Sequence, residues 1–377
     1  MIPSYRGCIR GYGLCAALAL ISGAVFAPGA RAANESIPQL QAAAQKGLVN
    51  QQIELASAYF VGDGVPQDVK LAAHWYQKAA ESGDPEAENE IGFLYQTGTG
   101  VPFNPERAFH WYQLSAASGL VKAKVNLGVM YVWGIGVRKN EELAAQLFRE
   151  ALEKGNGTAA SYLGDLAYFG IGMKQDKAAA ERWYTIGAKL HDPLAAYNLG
   201  SLFSVQADHP HDFPKAANYL RRSASDGFVP AMHSLGLILV NHPELEKSPQ
   251  EARTLLQTAS GAGFWRSTVL LGVLARDGRG APPDAEAAYY NFQLAVLQGG
   301  DAAKKLLAND LNALSIKLTA ERATVLQASA CDSYKQHPAP LAFVYKSGDT
   351  NKRFPALART LADGEVHAGQ LIPPPPA

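Results

Sequence analysis

Apolar positions recur at helical spacing and then return as a block along most of the chain. In one block, Ala87, Ile91, Leu94 and Tyr95 form a single apolar stripe. Steps of 36 residues from Gly92 reach a glycine preceded by leucine at Gly128, Gly164, Gly200, Gly236 and Gly272. A second glycine ends each block at Gly83, Gly119, Gly155, Gly227, Gly263 and Gly299, with His191 as the exception. Seven 36-residue units therefore fit between residues 49 and 299 without insertion or deletion.

Within one unit, the pattern predicts two helices joined by a glycine link. Gly-x-Gly follows the first helix at Gly62/Gly64, Gly98/Gly100, Gly134/Gly136, Gly170/Gly172 and Gly278/Gly280. Glycine ends a helix in the left-handed conformation at little steric cost. An Asp or Asn follows each link and can cap the second helix: Asp68, Asn104, Asn140, Asp176 and Asp284. No strand is predicted before these glycines, so a phosphate-binding loop is not indicated.

A pair of large side chains marks the second helix of each unit. The pairs are Trp75-Tyr76, Trp111-Tyr112, Leu147-Phe148, Trp183-Tyr184, Tyr219-Leu220, Leu255-Leu256 and Asn291-Phe292. They could form an aromatic platform for sugars or bases. The strict periodicity and the replacement by leucine favour packing between helix pairs instead. Glycine at the Gly92 position costs about 1 kcal/mol of helix propensity, and we expect it to let the next helix lie directly on the backbone.

One helix pair cannot bury its own apolar face, so neighbouring pairs must cover it. The fold class predicted is all-α, a superhelix of about seven helix-turn-helix repeats with a concave inner wall and a C-terminal helical cap. We assign residues 33–48 to an N-terminal cap and residues 49–299 to the repeat array. Residues 300–336 form the C-terminal capping helices, since Ala303 and Leu307 keep the repeat spacing. Residues 337–377 are predicted to be a flexible Pro-rich tail ending in Pro373–Pro376.

Residues 1–32 have the organisation of a signal peptide. Arg6 and Arg10 precede an apolar run, and Ala30-Arg31-Ala32 supplies a cleavage site. A membrane anchor is the alternative, but the run is short and glycine-rich for a span of about 20 residues. We therefore expect export to the periplasm or outside the cell, with no transmembrane anchor after cleavage.

The charge balance bears on the class of partner. The chain has 34 basic and 34 acidic residues, and residues 1–32 hold three arginines and no acid, so the mature chain has 31 against 34. This near balance gives no reason to expect a nucleic-acid partner.

Cleavage would remove Cys8 and Cys15 and leave Cys331 alone. We expect Cys331 to be a buried, small apolar side chain, with an intermolecular disulfide as the alternative.

The repeating unit resembles the Sel-one-like repeat (SLR), a relative of the tetratricopeptide repeat. Two segments carry the resemblance: Asn126-Leu127-Gly128-x-x-Tyr131-x-x-Gly134-x-Gly136-Val137 and Lys70-x-Ala72-x-x-Trp75-Tyr76-x-x-Ala79-Ala80-x-x-Gly83. The resemblance implies a right-handed α-solenoid that acts as an adaptor. Exported bacterial proteins of this kind are similar to scaffolds of exopolysaccharide assembly, to regulators of envelope signalling and to secreted proteins that engage host molecules.

By analogy with tetratricopeptide geometry, the first helices should line the concave wall. The candidate partner-binding residues are Glu54, Glu90, Phe93, Asn126, Tyr162, Asp165 and Asn198, accompanied by Val129 and Ser201. Such a mixed polar wall suits hydrogen bonds to a peptide backbone. The sequence supports equally the alternative that Asn126 and Asn198 only hold neighbouring loops in place. The leading hypothesis is an exported, non-catalytic scaffold that binds a protein or peptide partner in envelope assembly or signalling.

The sequence is compatible with two other functions. Contact with an envelope polysaccharide or peptidoglycan would use Trp133, Phe169 and Trp265. A β-lactamase-like hydrolase would resemble cysteine-rich members of the family, whose paired cysteines this chain lacks. No nucleophile–base pair or serine motif stands out, and neither a catalytic residue nor a cofactor is predicted.

The glycine link is lost in two units, at residues 205–212 and 241–246. His209, His211, Asp212 and His242 could ligate a metal, whereas His-Pro and Asp are also ordinary helix-stopping residues. No metal site is predicted. The links between the two helices of each unit should lie along one edge of the array. If that edge makes a specialised contact, we expect the contact at these two links.

Overall fold

The computed structural model describes residues 36–205, 212–248 and 250–336. All regular elements in these ranges are helical, as the periodicity predicts. The described residues form two compact units, 36–195 and 196–336. Within the same ranges, no helix has the length and hydropathy needed to cross a membrane.

Ten helices begin in the N-terminal unit. They are α1 Ile37–Gln45, α2 Val49–Val61, α3 Val69–Glu81, α4 Pro85–Thr97, α5 Pro105–Ala117, α6 Val121–Trp133, α7 Glu141–Glu153, α8 Gly157–Phe169, α9 Lys177–Lys189 and α10 Pro193–Val205. The last of these continues into the C-terminal unit. That unit also contains α11 Phe213–Ser225, α12 Val229–Asn241, α13 Glu251–Gly261, α14 Trp265–Asp277, α15 Ala285–Lys317 and α16 Ala320–Gln336.

The first helices of successive repeats begin every 36 residues, from α2 at residue 49 to α14 at residue 265. Each of these first helices is 13 residues long. Within each unit, second helices pack against their own first helix and against the first helix of the following repeat, as α5 does with α4 and α6 and as α13 does with α12 and α14. The all-α repeat architecture is therefore confirmed.

The links end and restart the helices as the sequence predicts. Gly98 ends α4 with φ 71°, and its N–H donates to the carbonyl of Leu94. Asn104 then caps α5 by accepting the N–H of Arg107 at 2.9 Å. The same left-handed ending occurs at Gly62, Gly134, Gly170 and Gly278, and the same capping at Asp68, Asn140, Asp176 and Asp284. His191, the exception among the unit-ending glycines, also takes a positive φ of 60°.

The two links without glycine are rebuilt differently. Residues 206–211, including His209 and His211, lie outside the described residues. Asp212 caps α11 by accepting the N–H of Lys215 at 2.9 Å. At 241–246 the link contains a short 3₁₀ turn, Pro243–Leu245. Here the guanidinium of Arg221 donates to Glu251 Oε1 at 2.7 Å and to the carbonyl of Leu245.

In the described ranges, no group of three or more His, Cys, Asp and Glu residues is arranged to hold a metal. His242 pairs instead with Glu244 at 3.2 Å, and its ring lies 4.2 Å from that of Phe213.

The glycines inside the first helices let the next helix lie directly on their backbone, as expected, and the nearest atoms of that helix belong to a large side chain. A Cβ added to Gly128 would lie 2.6 Å from the ring of Phe148, and one on Gly164 would lie 2.4 Å from the ring of Tyr184. The same position in other repeats faces Tyr112, Leu220, Leu256 and Phe292. These partners are the second members of the large pairs and are buried, which confirms that this position belongs to the core.

The ends of the array are covered by helices outside the repeat. Leu40 and Ala44 of α1 are buried, and the amide of Gln52 donates to the carbonyl of Ala44 at 3.1 Å. At the other end, Gly300 (φ 59°, ψ −138°) interrupts α15. Ala303 and Leu307 beyond it are fully buried. The predicted tail, 337–377, lies outside the described residues.

Cys331 in α16 is 8% exposed, as expected of a small apolar side chain. It is, however, disulfide-bonded, so the expectation of an unpaired buried thiol is wrong. The other two cysteines, Cys8 and Cys15, lie outside the described residues.

Candidate partner-binding face

The seven candidate residues differ in how far a partner could reach them. Glu90, Phe93 and Asn126 are 7%, 4% and 7% exposed, so they are enclosed by neighbouring helices in this structure. Glu54, Tyr162 and Asp165 are half-buried. These six belong to the N-terminal unit, whereas Asn198, also half-buried, belongs to the C-terminal one. Partner binding at these positions stays a prediction.

Glu90 and Asn126 form part of a polar network between adjacent first helices. The Asn126 amide donates to Asn89 Oδ1 at 2.9 Å, and the Asn89 amide donates to Glu90 Oε1 at 3.1 Å. Lys122 Nζ also lies 3.1 Å from Glu90 Oε1 and forms an ion pair with Glu86. Asn126 therefore joins α6 to α4, rather than holding a loop. These hydrogen bonds offset much of the cost of burying the polar groups, although Glu90 Oε2 is buried without a hydrogen-bond partner among the described residues.

Tyr162 and Asp165 border a second polar cluster. The ring of Tyr162 stacks on that of Phe148, with centroids 5.0 Å apart. The hydroxyl of Tyr184 donates to Asp165 Oδ1 at 2.7 Å. Burial, supported by the nearby charge of Asp192, raises the pKa of Asp165 to about 7 against the opposing effect of the Tyr184 hydrogen bond. Asp165 is thus poised to change charge near neutral pH.

Asp192, which the sequence did not single out, organises the start of α10. Its Oδ1 accepts the hydroxyl of Ser161 at 2.5 Å and the N–H of Ala195 at 2.7 Å. Its Oδ2 accepts the hydroxyl of Thr158 at 2.7 Å. The available signal was positional, because Asp192 occupies the capping place taken by Asp84 and Asn156 in other repeats.

We expect Asp165→Asn to stabilise the protein above pH 7 and to have little effect at pH 4. Asp165 has a folded pKa of about 7 and an ordinary value of 3.8. Between these values the folded state keeps a proton that the unfolded state has lost, so wild-type stability falls as pH rises through this window. The difference is up to about 4 kcal/mol at pH 8, since one pKa unit corresponds to about 1.4 kcal/mol.

Urea unfolding of both proteins from pH 4 to pH 8 measures this effect. Asparagine keeps an oxygen that can accept from Tyr184. The exposed Asp63→Asn is the control for removing one negative charge, and it should leave the pH dependence of wild type unchanged. Parallel pH profiles for wild type and Asp165→Asn would contradict the prediction.

The aromatic residues considered for a glycan contact differ in exposure. Phe169 is 41% exposed and packs edge-on against Tyr168, with centroids 4.8 Å apart. Trp133 and Trp265 are half-buried. The ring of Trp265 lies against Gly299, where an added Cβ would come within 2.8 Å of it. Packing therefore accounts for Trp265.

Comparison with known protein families identifies the repeating unit. The Sel1 repeat matches residues 52–84, 85–120, 121–156, 157–192, 193–228 and 266–300. The unmatched interval contains the pair α12 and α13, whose link is rebuilt without glycine. No curated protein sequence matches the chain.

Two solved structures are similar. A Sel1 repeat protein from Oxalobacter formigenes has 31% identity and a TM-score of 0.50, and the match covers 59% of this chain and 89% of that one. A protective antigen of uropathogenic Escherichia coli with an SLR fold has 26% identity and a TM-score of 0.43, with 81% and 73% covered. Sel1 repeat proteins are generally non-catalytic scaffolds that mediate protein–protein interactions. Because the repeat matches take in more than half of its residues, the chain belongs to the Sel1 repeat family.

Proposed function

We propose that this protein is an exported, non-catalytic scaffold that binds a protein or peptide partner through its repeat surface in the cell envelope. Export to the periplasm or beyond rests on the signal-peptide pattern of residues 1–32. Participation in envelope assembly or signalling rests on the resemblance to exported SLR proteins. Membership of a family of interaction scaffolds supports a protein partner over a substrate.

One observation carries the assignment of the surface. The repeat core is supplied by positions such as Ala87, Ile91 and Tyr112, which are buried. Glu54, Tyr162 and Asp165 lie outside that set and remain partly accessible on first helices. Glu54 and Tyr162 hold the same repeat position in α2 and α8, so they are related by the repeat spacing. A scaffold that presents side chains at fixed intervals suits an extended partner.

We expect Glu54→Arg to weaken partner capture at least tenfold. Reversing a charge on a binding surface replaces an attraction by a repulsion, which costs several kcal/mol when the groups are in contact. The full chain is used as bait in an envelope extract. Partners are identified by mass spectrometry, and the affinity of the main partner is then measured with purified components.

Glu153→Arg is the matched control, because it makes the same charge change on an exposed position of α7 in the same unit. It should bind the partner like wild type. Both variants should keep the wild-type melting temperature to within a few degrees. Equal binding by wild type and Glu54→Arg, or equal loss in the two variants, would reject this face as the binding surface.

A further inference from the structure

A cavity of about 450 Å³ lies within the C-terminal unit, between α13, α14, α15 and α16. Its volume falls in the range of about 300–1,000 Å³ typical of ligand pockets. One side is bounded by a bond between α15 and α16, in which the hydroxyl of Tyr290 donates to Ser333 Oγ at 2.8 Å. All the lining residues belong to this unit, so the cavity is a feature of one compact body.

The cavity coincides with two departures from the repeat pattern. Ala275 occupies the position held in five other repeats by Tyr59, Tyr95, Tyr131, Phe203 and Leu239, and in one by Ala167. Asn291 occupies the position held by Trp75, Trp111, Trp183 and Tyr219. Both Ala275 and Asn291 line the cavity. Replacing large side chains by small ones at facing positions leaves space that neighbours fill only in part.

The lining combines one cation with neutral hydrogen-bonding groups. Arg253 is the charged residue of the lining, and no carboxylate is among the described residues that form it. No ion pair of Arg253 is found in the described ranges, and its closest polar partner is the carbonyl of Arg279 at 3.5 Å from Nη2. The amides of Gln257 and Asn291 can each donate and accept, although one N–H of Asn291 already donates to the carbonyl of Ala287 at 2.8 Å. An anionic ligand is therefore favoured over a cationic one.

The other polar side chains of the lining bond within the protein: Ser260 and Gln298 both bond to Thr268, and Tyr290 bonds to Ser333. The apolar part of the wall is formed by Leu271, Ala275, Ala287 and Leu294. A ligand that fits has a carboxylate for Arg253, an amide group for Gln257 and Asn291, and an apolar side chain for the leucines. A guanidinium can hold a carboxylate through two parallel hydrogen bonds. The carboxyl end of a peptide has all three features.

We propose that this cavity binds the free carboxyl terminus of a peptide whose last residue is apolar. The inference rests on the proposed function to the extent that the ligand belongs to a protein partner. A uronic acid offers the same carboxylate, but the serine, tyrosine and Gln298 side chains of the wall already bond within the protein, and the leucines do not match a hydroxylated ring.

Isothermal titration of the full chain with N-acetyl-Gly-Ala-Leu tests the proposal, with the same peptide as its C-terminal amide and glucuronic acid as comparisons. We expect saturable binding of the free acid, at least tenfold weaker binding of the amide, and no binding of glucuronic acid. Arg253→Gln should weaken binding of the acid at least tenfold. Lys317→Gln removes one positive charge at an exposed position of α15 and should bind like wild type.

Asn291→Trp restores the side chain found at this position in three other repeats and should abolish binding by filling the cavity. If that variant does not fold, Arg253→Gln and the amide peptide still decide the question. Equal binding of acid and amide, binding of glucuronic acid as tight as that of the peptide, or no saturable binding would each overturn the proposal. Loss of partner capture by Glu54→Arg is measured on the other unit, so the two proposals can fail separately.

Discussion

Replacing Gly136 by alanine should destabilise the protein by about 2–5 kcal/mol. Gly136 has φ 65°, and an added Cβ would lie 2.2 Å from the carbonyl oxygen of Pro105 at the start of α5. The left-handed conformation costs a residue with a side chain about 1–2 kcal/mol. Overpacking adds about 1–3 kcal/mol. The clash is with backbone, which cannot rotate away, so a helix of the preceding repeat must move.

Gly119→Ala is the matched control. Gly119 also has a positive φ, of 92°, but an added Cβ there would meet nothing within 4 Å. It should lose only the conformational contribution, about 1–2 kcal/mol. Guanidinium unfolding of the full chain, followed by circular dichroism, measures both variants. Equal losses would show that the second glycine of the link is needed only for its conformation, and not for contact between repeats.

The repeat spacing could be predicted because each unit constrains its neighbours. An insertion in one unit would move its apolar stripe away from the next, so Gly92 and its equivalents stay 36 residues apart. The capping residues could be predicted for a local reason, because an Asn or Asp after a glycine link, such as Asn104 or Asp176, is typical of the N-cap of a helix. The first helices of the seven repeats consequently begin at regular intervals along the described part of the chain.

The accessibility of the candidate face could not be predicted in the same way. Glu90 and Asn126 are polar residues on first helices, and the sequence assigns such residues to an open wall. Their burial depends on Asn89 and Lys122, which become partners only when α4 and α6 are adjacent. A single sequence does not show whether a polar position faces water or another polar side chain.

The cavity, in contrast, had a signal in the sequence. Asn291 breaks a series of large residues that the packing interpretation requires, and Ala275, like Ala167, is small where the other repeats have a large side chain. Each substitution alone could be compensated by a neighbour. Only the structure shows that the two gaps, with Arg253 and Gln257, open onto one space. Departures from a repeat consensus are therefore informative where they fall on facing helices.

Because Gly128 is paired with a large side chain, we expect Gly128→Ala to destabilise the wild-type protein and to stabilise a variant that lacks this side chain. A double-mutant cycle measures this difference. Gly128→Ala in the wild-type background should destabilise by about 1–3 kcal/mol, because its Cβ would lie 2.6 Å from the ring of Phe148. Phe148→Ala should cost about 3–5 kcal/mol, since the ring is fully buried. In the Phe148→Ala background the obstacle is gone, and Gly128→Ala should stabilise by about 1 kcal/mol through helix propensity.

Guanidinium unfolding of the four proteins gives the coupling energy directly. Ala56 takes the equivalent place in α2 and is fully buried, so alanine itself is compatible with this position of the fold. The penalty at Gly128 must then come from the particular approach of Phe148 rather than from the helix. Additive effects in the cycle would mean that the ring moves aside at no cost, and the glycine would then need an explanation other than contact with the second helix.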